Sequence, residues 1–241
     1  MPRQPNEQYN VARPDSFATR AAAIVRERMF QMFMAEFQPT QEDSVLDAGV
    51  TSDQSYSHSN YFEALYPYKD RITAVGMQGA AFLETLYPGI KFVLADALAM
   101  PFANGSFDLV HSSAVLEHVG GRQNQARMIA ECLRVARRDV CLTTPNPGYP
   151  IEFHTLLPLA HWLPAPLFRR ILRALGYGIL AEEAHLNLVS ERELRELAEA
   201  VSGWRFRLAS PRLFGWKSNL VLFAHRLEAT PTAGRSITLA T

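Results

Sequence analysis

The chain has two cysteines in 241 residues, and that scarcity excludes a disulfide-built scaffold. Cys132 and Cys141 each lie in an apolar segment, and no Cys/His pair stands at metal-ligand spacing. The two read as reduced core thiols of a cytoplasmic protein, and no metal is expected. A net charge is missing too. Lys+Arg and Asp+Glu both number 24, so the formal net charge is zero. A neutral chain carries no electrostatic footprint for general nucleic-acid binding. No apolar run approaches the ~18 residues of a membrane span. The opening MPRQPNEQYN is polar and without an apolar core, so no secretory signal is predicted. No internal repeat is visible.

What remains is an ordinary globular composition, 48% apolar and 20% charged. Residues 1–15 are polar and aperiodic and are predicted to form a mobile arm. Ser16 then caps a helix, SFATRAAAIVRERMFQMFMAEF, with Ala22, Ile24, Val25, Met29, Phe30 and Phe33 at roughly helical spacing. Strands are predicted at 44–49, 71–77, 91–96, 107–114 and 139–145, alternating with helices at 60–68, 80–87 and 122–136. The last of these helices turns Met128, Ile129, Cys132, Leu133 and Val135 inward. Strands that are near-continuous apolar runs, separated by helices, indicate a parallel sheet covered on both faces. The pattern breaks at a proline-rich, apolar segment of about 146–186, read as a helical lid. It resumes with a helix at 189–201, where Ser190 and Glu193 stand at capping-box spacing. Two strands follow, about 204–212 and 219–227, close enough to pair antiparallel. The predicted architecture is a single α/β domain over 16–227: a Rossmann-like, doubly wound, mostly parallel seven-stranded sheet with an antiparallel last strand and a helical lid. The small, polar tail 228–241 is predicted to be disordered.

In an open parallel sheet, ligands bind at the carboxyl ends of the strands. The first strand ends in Asp47-Ala48-Gly49. Gly49 permits a close backbone approach, while Asp47 either accepts hydrogen bonds from an amine or orders the loop. The third strand ends at Asp96, where an acid serves either an adenine amine or a turn. Ala97 and Leu98 stand ready to cover a ring. The fourth strand places Ser112 and Ser113 on the same edge and leads to Glu117 and His118. His118 is the candidate base, or else the pair only orders its loop.

VLDAG, then ITAVG, then ADALAMPFANGSFDLVHSSAVLEHV, then an amphipathic helix and LTTPNPGYP, resemble the class I S-adenosylmethionine-dependent methyltransferases of the type 11 domain group. The resemblance covers about residues 43–147. It implies methyl transfer from S-adenosyl-L-methionine. It further implies that Asp47 and Gly49 contact the methionine part, that Asp96 takes the adenine amine, and that Ser112 or Ser113 lies near the sulfur.

The sequence departs from that pattern in two places. Thr51 and Asp53 stand where two more glycines are usual. Gly76 replaces the acid that grips the ribose, leaving Gln78 as the nearest polar side chain. Asp53, Gln78 and the loop SDQSYSHSN are then the candidates to take over. The rival reading is a non-catalytic binding protein on the same fold with a degenerate cofactor loop. A dinucleotide oxidoreductase needs G-x-G-x-x-G, which VTSDQS does not supply.

The acceptor is expected to be a small molecule, or one linked to a lipid or glycan. The lid carries apolar residues together with Arg169, Arg170 and Arg173, which suggests either a cap over such an acceptor, with peripheral membrane contact, or plain packing. His154, His161 and Trp162 are its candidate acceptor contacts.

Overall fold

The computed structural model describes residue 9, residues 11–56 and residues 58–227. The predicted tail lies outside the described residues, as does most of the predicted arm. Of the arm, Tyr9 and residues 11–15 are described, and they are packed. Tyr9 stacks on His118 with ring centroids 4.5 Å apart, and the Val11 amide donates to the His154 carbonyl at 3.2 Å.

Seven strands form one sheet. They are β1 (Val45–Ala48), β2 (Ile72–Gly76), β3 (Lys91–Leu94), β4 (Phe107–Ser113), β5 (Ala136–Pro145), β6 (Trp204–Ala209) and β9 (Asn219–Arg226). The order is β3-β2-β1-β4-β5-β9-β6. β1 to β5 pair in parallel, whereas β9 runs antiparallel to both β5 and β6. A small hairpin, β7 (Arg212–Leu213) with β8 (Trp216–Lys217), sits in the connection before β9. Strand order reverses between β1 and β4, and the crevice outside a sheet opens at such a switch.

Successive strand residues point to opposite faces, and here both faces are dry. Leu46, Val110, Leu142 and Leu222 join one apolar core with α4 (Arg122–Val135) and α6 (Glu191–Glu199). Their neighbours Val45, Leu109, Cys141 and Phe223 join the other. That second core includes α1 (Phe17–Phe37), α2 (Tyr61–Leu65) and α3 (Phe82–Leu86).

The helices begin and pack as their residues dictate. Ser16 accepts from the Thr19 amide to start α1. The buried stripe of α1 is Ala21, Val25, Met29, Phe33 and Phe37, one residue every four, and Ile24 is left exposed. In α6 the Ser190–Glu193 capping box is complete. Between β5 and α6 the insert builds a third, smaller core from Phe168, Leu172, Tyr177, Leu180 and Leu186, with Tyr9 and Val11 packed against it. Its helix α5 (Ala165–Ala174) follows Pro164.

Candidate active site

A cavity of about 540 Å³ opens at the carboxyl ends of β1 to β4 and continues under the insert. Gly49 forms part of its floor at φ +110°, where a Cβ would fall 2.1 Å from Val115 Cγ2. Only glycine fits that turn. The Gly49 and Val50 amides donate to the Val75 carbonyl at 2.7 and 2.9 Å, folding the loop back on the end of β2. Thr51 is then clamped: its amide donates to Asn60 Oδ1, and Asn60 Nδ2 donates to its carbonyl, each at 3.0 Å.

Below Gly49 lies a buried polar cluster. Asp47 Oδ1 and His111 Nδ1 are 2.5 Å apart, and Tyr61 Oη is 3.2 Å from His111 Nε2. The Phe62 ring stacks on the imidazole at 4.1 Å. Burial pushes Asp47 up to about 7 and His111 down to about 4. Burial, reinforced by the Asp47 charge, raises Glu63 well above the carboxylate range. Both Glu63 oxygens are buried with no hydrogen bond of ordinary geometry among the described residues, the carboxyl lying against that of Asp47, and Glu63 and Arg26 both line the cavity.

Gln78 and Asp96 line the adjoining wall with Ala95, Ala97 and Leu98. Ser52 Oγ donates to Gln78 Oε1 at 2.7 Å. Asp96 is exposed, and one of its oxygens accepts from the Leu98 amide at 2.8 Å. At the end of β4, Ser113 and Ala114 face the cavity, and Ala114 is held at φ 55°. Strain of that kind is concentrated at functional sites.

The roof is aromatic and basic. His118 donates from Nδ1 to the His185 carbonyl at 2.6 Å and lies edge-on to His154 at 4.7 Å. Burial, with His154 beside it, pushes His118 down to about 3. It is therefore a neutral acceptor and a weak base. His154 donates from Nδ1 to Glu152 at 2.7 Å. Burial opposes the Glu152 charge, but His154 and Thr155 outweigh it and hold that carboxylate at about 2.

Of the residues expected at the site, Asp47, Gly49, Gly76, Gln78, Asp96, Ala97, Ser113, His118 and His154 share this one cavity. Four others lie elsewhere. Ser112 points into the sheet and donates to the Ala48 carbonyl at 2.5 Å. Asp53 is buried in its own loop, accepting from the Ser55 amide at 2.6 Å. Trp162 is half-exposed on the insert and donates to the Pro147 carbonyl at 2.9 Å. His161 bonds the Tyr149 carbonyl at 2.9 Å. The insert arginines Arg169 and Arg173 pair with Glu183 and Glu182. Sequence reasoning missed Tyr9, Arg26 and Glu63. A charged residue one place from the buried stripe of α1 was the available sign for Arg26.

The sheet order and the crevice at its switch point define a Rossmann-like methyltransferase fold. Magnesium protoporphyrin IX methyltransferase from Synechocystis PCC 6803, solved with bound S-adenosylhomocysteine, shares that fold at 15% identity. The TM-score is 0.55, with 88% of each chain covered. Residues 59–143 match the family model described as "Methyltransferase domain". That stretch is thus similar to methyltransferase domains, and the sheet around it has the fold of the class I, S-adenosylmethionine-dependent enzymes. Two curated relatives are similar. One is O-methyltransferase resE of Aspergillus sclerotiorum, 26% identical over 65% of this chain and 63% of its own. The other is ajmaline N-methyltransferase of Rauvolfia serpentina, 31% identical over 43% of this chain and 33% of its own. The chain spans less than two thirds of the length of either.

The cavity has what an S-adenosyl group requires. Gly49 leaves a cradle that a Cβ would fill, Glu63 and Asp47 offer a buried pair of carboxyls, and Asp96 with Ala97 offers an acid beside an apolar wall. The neutral amide of Gln78 lines the same wall; charge-assisted hydrogen bonds, which a carboxylate there would make, are roughly twice as strong as neutral ones.

Proposed function

We propose that this chain transfers a methyl group from S-adenosylmethionine to a small-molecule hydroxyl or amine held beneath the insert. One observation carries the reading: a single cavity runs from the Gly49–Asp96 floor to the roof of Tyr9, His118 and His154. In this reading Gly49, Asp47, Arg26 and Glu63 hold the methionine end. Gln78 takes the ribose, and Asp96 with Ala97 and Leu98 the adenine. The cofactor supplies an electrophilic methyl on a sulfonium, and displacement there is in line.

The residues of the chain then have mainly to align and desolvate the acceptor. Positioning of that kind is worth several kcal/mol. Tyr9 and the insert cover the acceptor end, and His118 and His154 line it. The relatives' names, an O-methyltransferase and an ajmaline N-methyltransferase, support an oxygen or nitrogen acceptor. Calorimetry with S-adenosylmethionine and S-adenosylhomocysteine tests the reading. Micromolar binding of both is expected, and absence of heat at high micromolar ligand favours the rival, a binding protein on this fold.

A further inference from the structure

Under the insert, three side chains from two separate loops aim their donor atoms at one point. Glu117 comes from the turn after β4, His118 follows it, and His154 comes from the insert. Glu117 Oε1 lies 4.0 Å from His118 Nε2 and 4.0 Å from His154 Nε2. All three donor atoms lie within 4.8 Å of one another. We propose that Glu117, His118 and His154 form a site for a divalent transition-metal ion of the zinc class, open toward the cavity, where it takes an oxygen of the acceptor.

The surroundings are built as a metal site requires. A ligating histidine is normally fixed by donating its other N–H to a carboxylate or carbonyl. Both do so here: His118 Nδ1 to the His185 carbonyl and His154 Nδ1 to Glu152. Glu152 is anchored in turn by the His154 and Thr155 amides and the Thr155 hydroxyl. The Nε2 lone pairs are thereby left pointing inward. Glu117 is also half-anchored, since Oε2 accepts from Thr144 Oγ1 at 2.9 Å. Its Oε1 is fully buried and accepts no hydrogen bond among the described residues. A buried carboxylate oxygen without a partner is costly, and an ion would satisfy it.

The donor set decides the metal. Two imidazoles and one carboxylate suit zinc and its first-row neighbours, whereas Mg²⁺ and Ca²⁺ prefer all-oxygen shells. A tetrahedral ion at about 2.1 Å sets its donors roughly 3.4 Å apart, so the two 4.0 Å pairs need close by about 0.6 Å and the two histidines, within 4.8 Å of each other, by at most about 1.4 Å. Three protein ligands leave a position free, as in catalytic rather than structural sites. Glu117 lies behind, and His118 and His154 line the cavity, so the free position faces the acceptor end. A hydroxyl bound there ionises more readily, its proton passing to bulk water. That last role rests on the methyltransferase reading, but metal binding does not. Spacing along the chain gave no sign of the site, because only folding brings His154 to Glu117.

The test uses the full chain stripped with chelator. Co²⁺ is titrated by visible absorption, Zn²⁺ and Mg²⁺ by calorimetry, and S-adenosylmethionine binding is measured on the metal-free protein. One Co²⁺ per chain with d–d bands is expected, displaced by Zn²⁺ and not by Mg²⁺. His118→Ala and Glu117→Gln should lose more than ~100-fold in affinity, and Glu152→Gln roughly 10–100-fold, with near-UV circular dichroism retained. Should one variant misfold, the other two still decide. The site is refuted if the folded wild type takes up no Co²⁺, if Mg²⁺ binds as tightly as Zn²⁺, or if uptake survives both ligand substitutions. Cofactor heat without metal uptake sinks the metal site and leaves the methyltransferase reading standing. Metal uptake without cofactor heat does the reverse.

Discussion

At the residue scale, the two departures from the methyltransferase pattern are one structural change. Gly76 stands where an acid is usual, and Thr51 where a glycine is usual. In the fold the Val50 carbonyl presses on Gly76, so that a Cβ there would sit 2.6 Å from its oxygen. The space for a side chain at position 76 is already filled by the backbone of the loop that Thr51 and Asn60 clamp. Ser52 then reaches across to Gln78, so the nearest polar side chain facing the cavity stands two residues along. A sequence comparison alone suggests that Gly76→Asp should restore a lost grip, since a carboxylate bonds hydroxyls about twice as strongly as a neutral group. The packing predicts the opposite. Backbone does not yield as a flexible side chain does, and overpacking costs about 1–3 kcal/mol. For a chain of this size that is roughly 2–4 °C in Tm per kcal/mol. Gly76→Asp should therefore melt several degrees lower and bind S-adenosylmethionine no more tightly. A tenfold gain in affinity by calorimetry, with Tm unchanged, would show this account of the loop to be mistaken.

At the element scale, the two ends of the parallel strands do different work, and paired substitutions separate them. Asp96 follows β3 at its carboxyl end and faces the cavity. Asp108 enters β4 at the other end, where it accepts from the Ser44 amide at 2.9 Å, the Ser44 hydroxyl at 2.7 Å and Arg137 at 2.7 Å. Asp96→Ala should weaken cofactor binding and leave Tm nearly unchanged, because the side chain is exposed and its one bond is local. Asp108→Ala should cost about 1–3 kcal/mol, since it strips charged partners from a mostly buried junction, and it should leave the cofactor affinity intact. Calorimetry and thermal melting on both variants check this, and equal cofactor binding by the two would move the adenine away from β3.

The same elements show why much of the fold was legible in the sequence. A strand buried on both faces must be an apolar run, and the stripe of α4 and the Ser190–Glu193 box of α6 are local signals that tertiary packing did not override. The hairpin of β7 and β8 carried no such signal, being two residues a strand. The cavity floor was legible because strand ends in this architecture converge by topology. Of its roof, His118 and His154 were singled out one by one, but not Tyr9 and not their meeting, which comes only through the path of the insert, and no periodicity records that path.

At the scale of the whole molecule, the end of the sheet opposite the cavity is closed by a chain of charges that ties the first helix to the last strands. Asp43 pairs with Arg138, and Arg138 with Asp139, each at 2.8 Å. Asp139 meets His225 at 2.8 Å, and His225 meets Glu36 at 3.0 Å. Glu36 also pairs with Arg207. Through Glu36 the end of α1 is thus fastened to β6 and β9, which form the far edge of the sheet. Burial disfavours the Glu36 charge, but the bonds from Arg207 and His225 outweigh it and hold the carboxyl below its ordinary value of 4.5. The sign of the resulting pH dependence follows from that direction. Above 4.5 the carboxylate is ionised whether the chain is folded or not, and its full contribution is present. As pH falls below 4.5 the unfolded chain takes up the proton first, and the contribution drains away until the folded group is protonated too. Glu36→Gln keeps the size and loses the charge, so it should be destabilised at pH 7 by about 1–2 kcal/mol. That deficit should shrink toward zero on acidification through and below 4.5. Urea titrations of wild type and variant, paired at each pH, measure the difference directly and cancel the contributions of titrating groups not coupled to Glu36. A deficit as large below pH 3 as at pH 7 would mean that Glu36 acts through packing alone. A deficit that vanishes would establish that ion pairing on the closed end holds α1 to the sheet while the other end is left open for a ligand.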